Sequence, residues 1–159
     1  MKKEKGITLI ELIIIIALFS VMMVGVLVFS TQAKTRKEVD LESDKIKSVV
    51  REAQNYALTG RGIVQSGCEF FEVSWSTGGS NYFVKSMNSA SGDYTGCSIN
   101  ESYQLEYNVS FSNSGRIVFK VPHGNIITSS SVGIKKTDDV ESCVKITSEG
   151  LVENKRDSC

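Results

Sequence analysis

The stretch "KEKGITLIELIIIIALF", residues 3–19, decides how the rest of the chain is read. It passes from three charges into a wall of isoleucine and leucine, and it sets one carboxylate, Glu11, inside that wall. The apolar run continues to Phe29, and between Ile7 and Phe29 the single formal charge is Glu11. A helix of that length spans roughly 33 Å at 1.5 Å per residue, enough to cross a hydrocarbon core of about 30 Å. The basic start, Lys2, Lys3 and Lys5 against Glu4, predicts a single span with a cytoplasmic N-terminus. A carboxylate costs about 2.5–3.5 kcal/mol at the centre of a membrane helix and less near the interface. Glu11 lies one turn in, so an acid tolerated at the interface is its bland reading. Its neighbours favour another. A cut between Gly6 and Ile7 leaves Glu11 fifth in the new chain and creates an α-amine at Ile7. If helices stack with a stagger, that amine can meet the acid of a neighbouring copy. Such a pair is strongly attractive in low dielectric, and an unpaired acid there is costly. Glu11 then sets register in an assembly.

No helix breaker follows. From "STQAKTRKEVDLESDKIKSVVREAQNYALTG" proline is absent, and glycine first appears at Gly60. Val39, Ile46, Val50, Ala53 and Ala57 recur at spacings that place them on one helical face, with Glu38, Glu42, Lys45, Lys47, Arg51 and Glu52 on the others. Gly60 is placed to cap the C-terminus. The spacing predicts one helix over 7–59, about 80 Å long. Its first half suits lipid or other helices, and its second half suits packing on a domain.

Beyond Gly60 the period changes. "YQLEYNVSF" (103–111) alternates strictly, "SNSG" follows, and "RIVFKV" (116–121) alternates again, which predicts a hairpin. "SVGIKKT" (131–137), "SCVKITS" (142–148) and "LVEN" (151–154) read as further strands, with a turn at "SEG" (148–150). "EFFEVSW" (69–75) and "YFVKSM" (82–87) are weaker strand signals. Residues 76–102 hold 14 Ser, Gly or Asn in 27 positions, which predicts loops around at most one strand.

The four cysteines, Cys68, Cys97, Cys143 and Cys159, lie after the apolar run, with no CxxC pair and a single histidine in the chain. Zinc-ligand spacing is absent, so no metal or cofactor is expected. Four cysteines behind an export-type start read as two disulfides in an oxidising compartment. Cys68–Cys97 and Cys143–Cys159 are favoured because each closes a sequence-local loop. Lys and Arg total 18 and Asp and Glu total 18, which gives bulk nucleic-acid binding no support. Lys135–Lys136 and Lys155–Arg156 are diluted by Asp138, Asp139 and Glu141. His123 stands in a turn-like "PHGN", and the chain has no GxSxG, HExxH, Walker A or GxGxxG pattern. An enzyme is not expected. Trp75 and Tyr82 read as core residues.

"KGITLIELIIIIALFSVM" closely resembles the N-terminal signal of type IV pilins and type II secretion pseudopilins. Its parts are a short basic leader, a glycine at the cut, an apolar first residue, a glutamate at the fifth mature position and an unbroken apolar helix. Many relatives begin with phenylalanine where this chain has Ile7. Many major pilins also carry a proline in the helix, whereas Pro122 is the only proline here. The resemblance implies an α+β fold, a long helix packed on an antiparallel sheet in a pilin-like lollipop. It divides the chain into a leader (1–6), a transmembrane and filament-core helix (7–29), an amphipathic half (30–59) and a β-rich globular domain (60–159). It implies that prepilin peptidase cuts after Gly6, that Ile7 is N-methylated and that Glu11 serves assembly. The implied partners are other pilin or pseudopilin subunits, an inner-membrane assembly platform, and membrane lipid before assembly. The implied site is the bacterial inner membrane, then a periplasmic or extracellular filament. "VSFSNSGRIVFKV" and "CVKITSEGLVEN" further resemble the group of the minor pseudopilin H and fimbrial minor pilins, with Leu151 where that group often has arginine. This points to a minor subunit. The alternatives are a major pilin, a DNA- or surface-binding pilin, a signal peptide cut after Ala33 of "FSTQA", and a plain single-span anchor.

Overall fold

The computed structural model describes residues 8–60, 67–137, 140–147 and 152–155. A single α-helix, α1 (Leu9–Thr59), runs through the apolar stretch, past Ala33 and on into the charged stretch. No proline interrupts it, and the surroundings of Gly25 are open. Gly60 follows with φ 65°, the left-handed conformation that ends helices and that glycine adopts without a Cβ penalty. Two compact units divide within this helix, Met1–Arg36 and Lys37–Cys159.

In the first unit the side chains from Leu9 to Val24 are exposed. Among the described residues, α1 is the one helix long and apolar enough to cross a membrane.

In the second unit the rest of α1 packs on antiparallel strands. Five form one sheet in the order β3-β2-β1-β5-β6, namely β3 (Asn100–Gln104), β2 (Asn81–Met87), β1 (Phe70–Trp75), β5 (Gly115–Lys120) and β6 (Asn125–Thr128). Four form a second sheet in the order β4-β7-β8-β9, namely β4 (Ser110–Phe111), β7 (Val132–Thr137), β8 (Val140–Ile146) and β9 (Val152–Lys155). The fold is therefore α+β, a long N-terminal helix whose second half packs against antiparallel sheets. Register places Val73, Val84 and Ile117 side by side, and likewise Trp75 with Tyr82, all on the buried face. Val132, Ile134, Val144, Ile146 and Val152 bring the second sheet into the same core. The helix contributes Val39, Ile46, Val49, Val50, Ala53 and Ala57, all buried. Burying a side chain of valine size contributes about 1.5–3 kcal/mol. The alanines let the backbone of α1 come close to the sheet.

Two readings change. Val39 and Ile46 are seven residues apart, and the missing step of the stripe is filled by Glu42 and Ser43, both 0 % exposed. Glu42 is thus on the buried face and not among the solvated charges. Its Oε1 accepts from Lys45 at 2.9 Å, and Ser43 Oγ donates to Ser142 Oγ of β8 at 2.9 Å. Lys136 of β7 pairs with Glu38 at 2.5 Å. The apolar face of α1 shares one core with both sheets, and polar contacts tie it to the second sheet as well.

The hairpin expected from 103–111 and 116–121 does not form. Tyr107 and Asn108 both have φ 56°, a double left-handed step that asparagine tolerates and that turns the chain. Ser110–Phe111 then pairs with β7, and β5 pairs with β1 and β6. Leu105, Val109 and Phe111 are buried, but Tyr107 of the same alternation is exposed, and of these four only Phe111 lies in a strand. The weaker signals, β1 and β2, make the central hairpin of the first sheet.

Candidate functional site

The N-terminal signal is built around the first turn of α1. Thr8 precedes the helix, and Glu11 is its third residue. Thr8 Oγ1 accepts from the Glu11 N–H at 3.4 Å, and Glu11 Oε2 accepts from the Thr8 N–H at 3.3 Å and from the Thr8 hydroxyl at 3.2 Å. This is a reciprocal capping box, which satisfies backbone donors that a helix start leaves orphaned. An acid in the first turn also meets the positive end of the helix dipole. The four-residue pattern T-x-x-E in "TLIE" carries this signal. Sequence reasoning looked for the partner of Glu11 on another chain and passed over the near one. Glu11 is exposed in the single chain. Gly6 and Ile7, the expected cleavage and methylation residues, lie outside the described residues.

The expected cysteine pairing is met at one end. Cys68 and Cys97 are bonded, with Cα atoms 5.9 Å apart and a sequence separation of 29. Cys143 on β8 is also disulfide-bonded, and Cys159 lies outside the described residues. The Cys68–Cys97 bond holds the 88–99 segment against the outer face of the first sheet. Tyr94 of that segment donates to buried Glu72 of β1 at 3.1 Å, and Arg116 stands 3.7 Å from the same carboxylate. Burial, then the charge of Glu72, raises the pKa of the Tyr94 phenol. A loop of this length gains about 3–4 kcal/mol from closure in the chain-entropy account. Cys97→Ser is expected to lower stability by about that much, with the first proteolytic cuts falling between residues 88 and 99. Limited proteolysis beside thermal unfolding checks it.

Trp75 and Tyr82 are buried, and the indole N–H of Trp75 donates to Asn113 Oδ1 at 3.3 Å. His123 is exposed in the 121–124 turn. There Gly124 (φ 63°) lies so close to Leu58 of α1 that an added Cβ would fall 2.7 Å from Leu58 Cγ. Lys136 is engaged with Glu38, while Asp138, Asp139 and Arg156 lie outside the described residues. Among the described residues no three His, Cys, Asp or Glu converge as a metal site.

No curated protein and no solved structure matches the chain. Residues 1–27 match the family model described as the prokaryotic N-terminal methylation motif. Together with the long apolar helix and the disulfide, that match means the chain carries the type IV pilin and pseudopilin signature.

Proposed function

We propose that the chain is a structural subunit of a type IV pilus-like or type II secretion filament, in the role of minor pilin or pseudopilin. The observation that carries this reading is the methylation motif running directly into a helix whose first half is exposed and apolar and whose second half anchors a β domain. The motif implies processing by prepilin peptidase and assembly with other pilin subunits. On this reading the enzyme cuts Gly6–Ile7 and Ile7 is methylated. The apolar half sits in the inner membrane with its N-terminus cytoplasmic, and an assembly platform then draws it from lipid into a core of packed helices. Apart from Glu11 and Ser20, the side chains exposed from Leu9 to Val24 are apolar and suit both environments. The β domain would act as scaffold and not as a catalyst. The β8–β9 hairpin, with Ile146 opposite Val152, supports the minor-subunit resemblance.

Mass spectrometry of the chain from purified filaments is expected to find its N-terminus at Ile7 with one added methyl group. A start at Met1 or Lys34 contradicts the reading. The chain is also expected to be scarce in those filaments, and a bulk constituent would overturn the minor role.

A further inference from the structure

A face beside the second half of α1 is built from tyrosines and carboxylates. A groove of about 340 Å³ is lined by Lys45, Ser48 and Val49 of α1 and by Tyr82, Tyr103 and Glu106. The rings of Tyr82 and Tyr103 are stacked, with centroids 5.3 Å apart. The Tyr103 hydroxyl donates to Glu101 at 2.6 Å, and the Tyr56 hydroxyl donates to Glu52 at 2.8 Å. Lys45 is shared between Glu42 at 2.9 Å and Glu106 at 3.2 Å, and it stands 5.8 Å from the centre of the Tyr107 ring. Glu42 is fully buried, and its Oε2 has no hydrogen-bond partner among the described residues. Two carboxylates, Glu42 and Glu106, thus share one ammonium, and Glu101 and Glu52 stand beside Tyr103 and Tyr56. Burial, then Glu101 and, more weakly, Glu52, raises the pKa of the Tyr103 phenol, as a field of negative charge does. Tyrosine faces edged by carboxylates are what a lysine or arginine side chain seeks.

The chain carries such cations. Lys34, Arg36 and Lys37 are exposed on α1, three cations in four residues. They follow the apolar run on the side that the proposed topology places outside the cytoplasm, where Lys and Arg are disfavoured. Topology therefore gives no reason for them.

We propose that the tyrosine–carboxylate face of one copy receives the Lys34–Arg36–Lys37 segment of a second copy. This rests on the reading of the chain as a filament subunit. It also adds a constraint to that reading. The face is centred near residue 50 of α1 and the basic segment near residue 36, so the two helices are offset by about 21 Å. Pairing the Ile7 amine with Glu11 offsets helices by about 6 Å. One neighbour cannot satisfy both, so the two contacts belong to different neighbours in the stack. Two adjacent copies suffice, which is compatible with a subunit that is scarce overall. Before extraction the same three cations lie just beyond the apolar run, and the acidic face receives them once the helix leaves the membrane.

The test is photocrosslinking of the full chain in its native host, with p-benzoylphenylalanine in place of Tyr107, which is 46 % exposed, and separately in place of Glu106. Leu12 carries the same probe as a reporter of helix packing. The expected result is a dimer-sized adduct from Tyr107 or Glu106 that maps to residues 34–37 of a second copy. Lys34→Glu/Arg36→Glu/Lys37→Glu should lower that adduct at least about tenfold. Adding Glu52→Lys/Glu101→Lys/Glu106→Lys, with the probe at Tyr107, should restore most of it. Adducts to lipid, to another protein or to another segment overturn the proposal, and so does indifference to the charge reversal. If Leu12 still crosslinks to a neighbouring subunit in that case, the filament reading stands. If the Leu12 adduct is missing too, the filament reading falls with it.

Discussion

Phe111→Ala is expected to destabilise the β domain by about 3–5 kcal/mol, the usual cost of emptying a buried phenylalanine site. Phe111 is 1 % exposed and sits in a strand of two residues. Its backbone pairs with Ile134 of the second sheet, and its ring packs near Trp75 and Tyr82 of the first, with centroids 6.2 and 6.0 Å away. Its N–H and C=O also bond Gly79 and Gly78, in the turn between β1 and β2. One residue therefore joins two sheets that share no strand, the second through its backbone and the first through its ring. The surroundings cannot close over the cavity without moving one sheet against the other. A domain of this size has about 5–15 kcal/mol in hand, so the variant should be only marginally folded. Trp75 is the single tryptophan and lies against the site, so its fluorescence in urea reports the transition. The expected result is a large fall in midpoint with an unchanged slope. Ile127→Ala, at a half-exposed site on the edge strand β6, should stay within about 0.5 kcal/mol. A loss below about 1 kcal/mol for Phe111→Ala would show that the joint lies elsewhere.

Legibility in the sequence followed the range of the forces involved. The helix was readable because its periodicity and its cap are local. Val39, Ile46, Val50, Ala53 and Ala57 are all buried, and Gly60 does end α1. Glu42 was misplaced because a charged residue scores as surface. What overrides that preference is the partner Lys45, one turn on, which covers the carboxylate from outside. Strand existence was also legible, since alternation marks β5, β7, β8 and β9. Strand partners were not. The double left-handed step at Tyr107–Asn108 costs little at asparagine, and nothing in the alternation of "YQLEYNVSF" announces it. β6, "NIIT", was missed because its exposed and half-buried positions alternate while its two isoleucines are adjacent, so four residues at a sheet edge show no apolar–polar alternation. At the N-terminus the recognised signal and the capping box occupy the same residues, and the conspicuous signal hid the ordinary one.

That overlap makes Glu11 the most informative position in the chain. In the single chain its carboxylate caps α1 through Thr8. In the proposed filament it pairs with an α-amine of a neighbour. Glu11→Ala removes both functions and cannot separate them. Glu11→Gln separates them, because glutamine serves at the third position of a capping box but carries no charge. A cap is worth about 0.5–2 kcal/mol. An amine left buried and unpaired costs about 3–5 kcal/mol. If Glu11 only caps, glutamine should assemble like the parent chain and Thr8→Val should be the defective variant. If Glu11 sets register through charge, glutamine should lower incorporation into filaments more than about a hundredfold, while Thr8→Val should lower it no more than about tenfold. Membrane insertion should be intact in both, since replacing an acid or a hydroxyl in an apolar run makes insertion easier. The measurement is the ratio of filament-bound to membrane-bound chain for each variant. We expect the larger loss with glutamine. The cap would then serve the helix start while the chain waits in the membrane, and the carboxylate would exchange Thr8 for a neighbour's amine on assembly. That exchange is cheap because the two bonds the carboxylate gives up are long, 3.3 and 3.2 Å, and exposed.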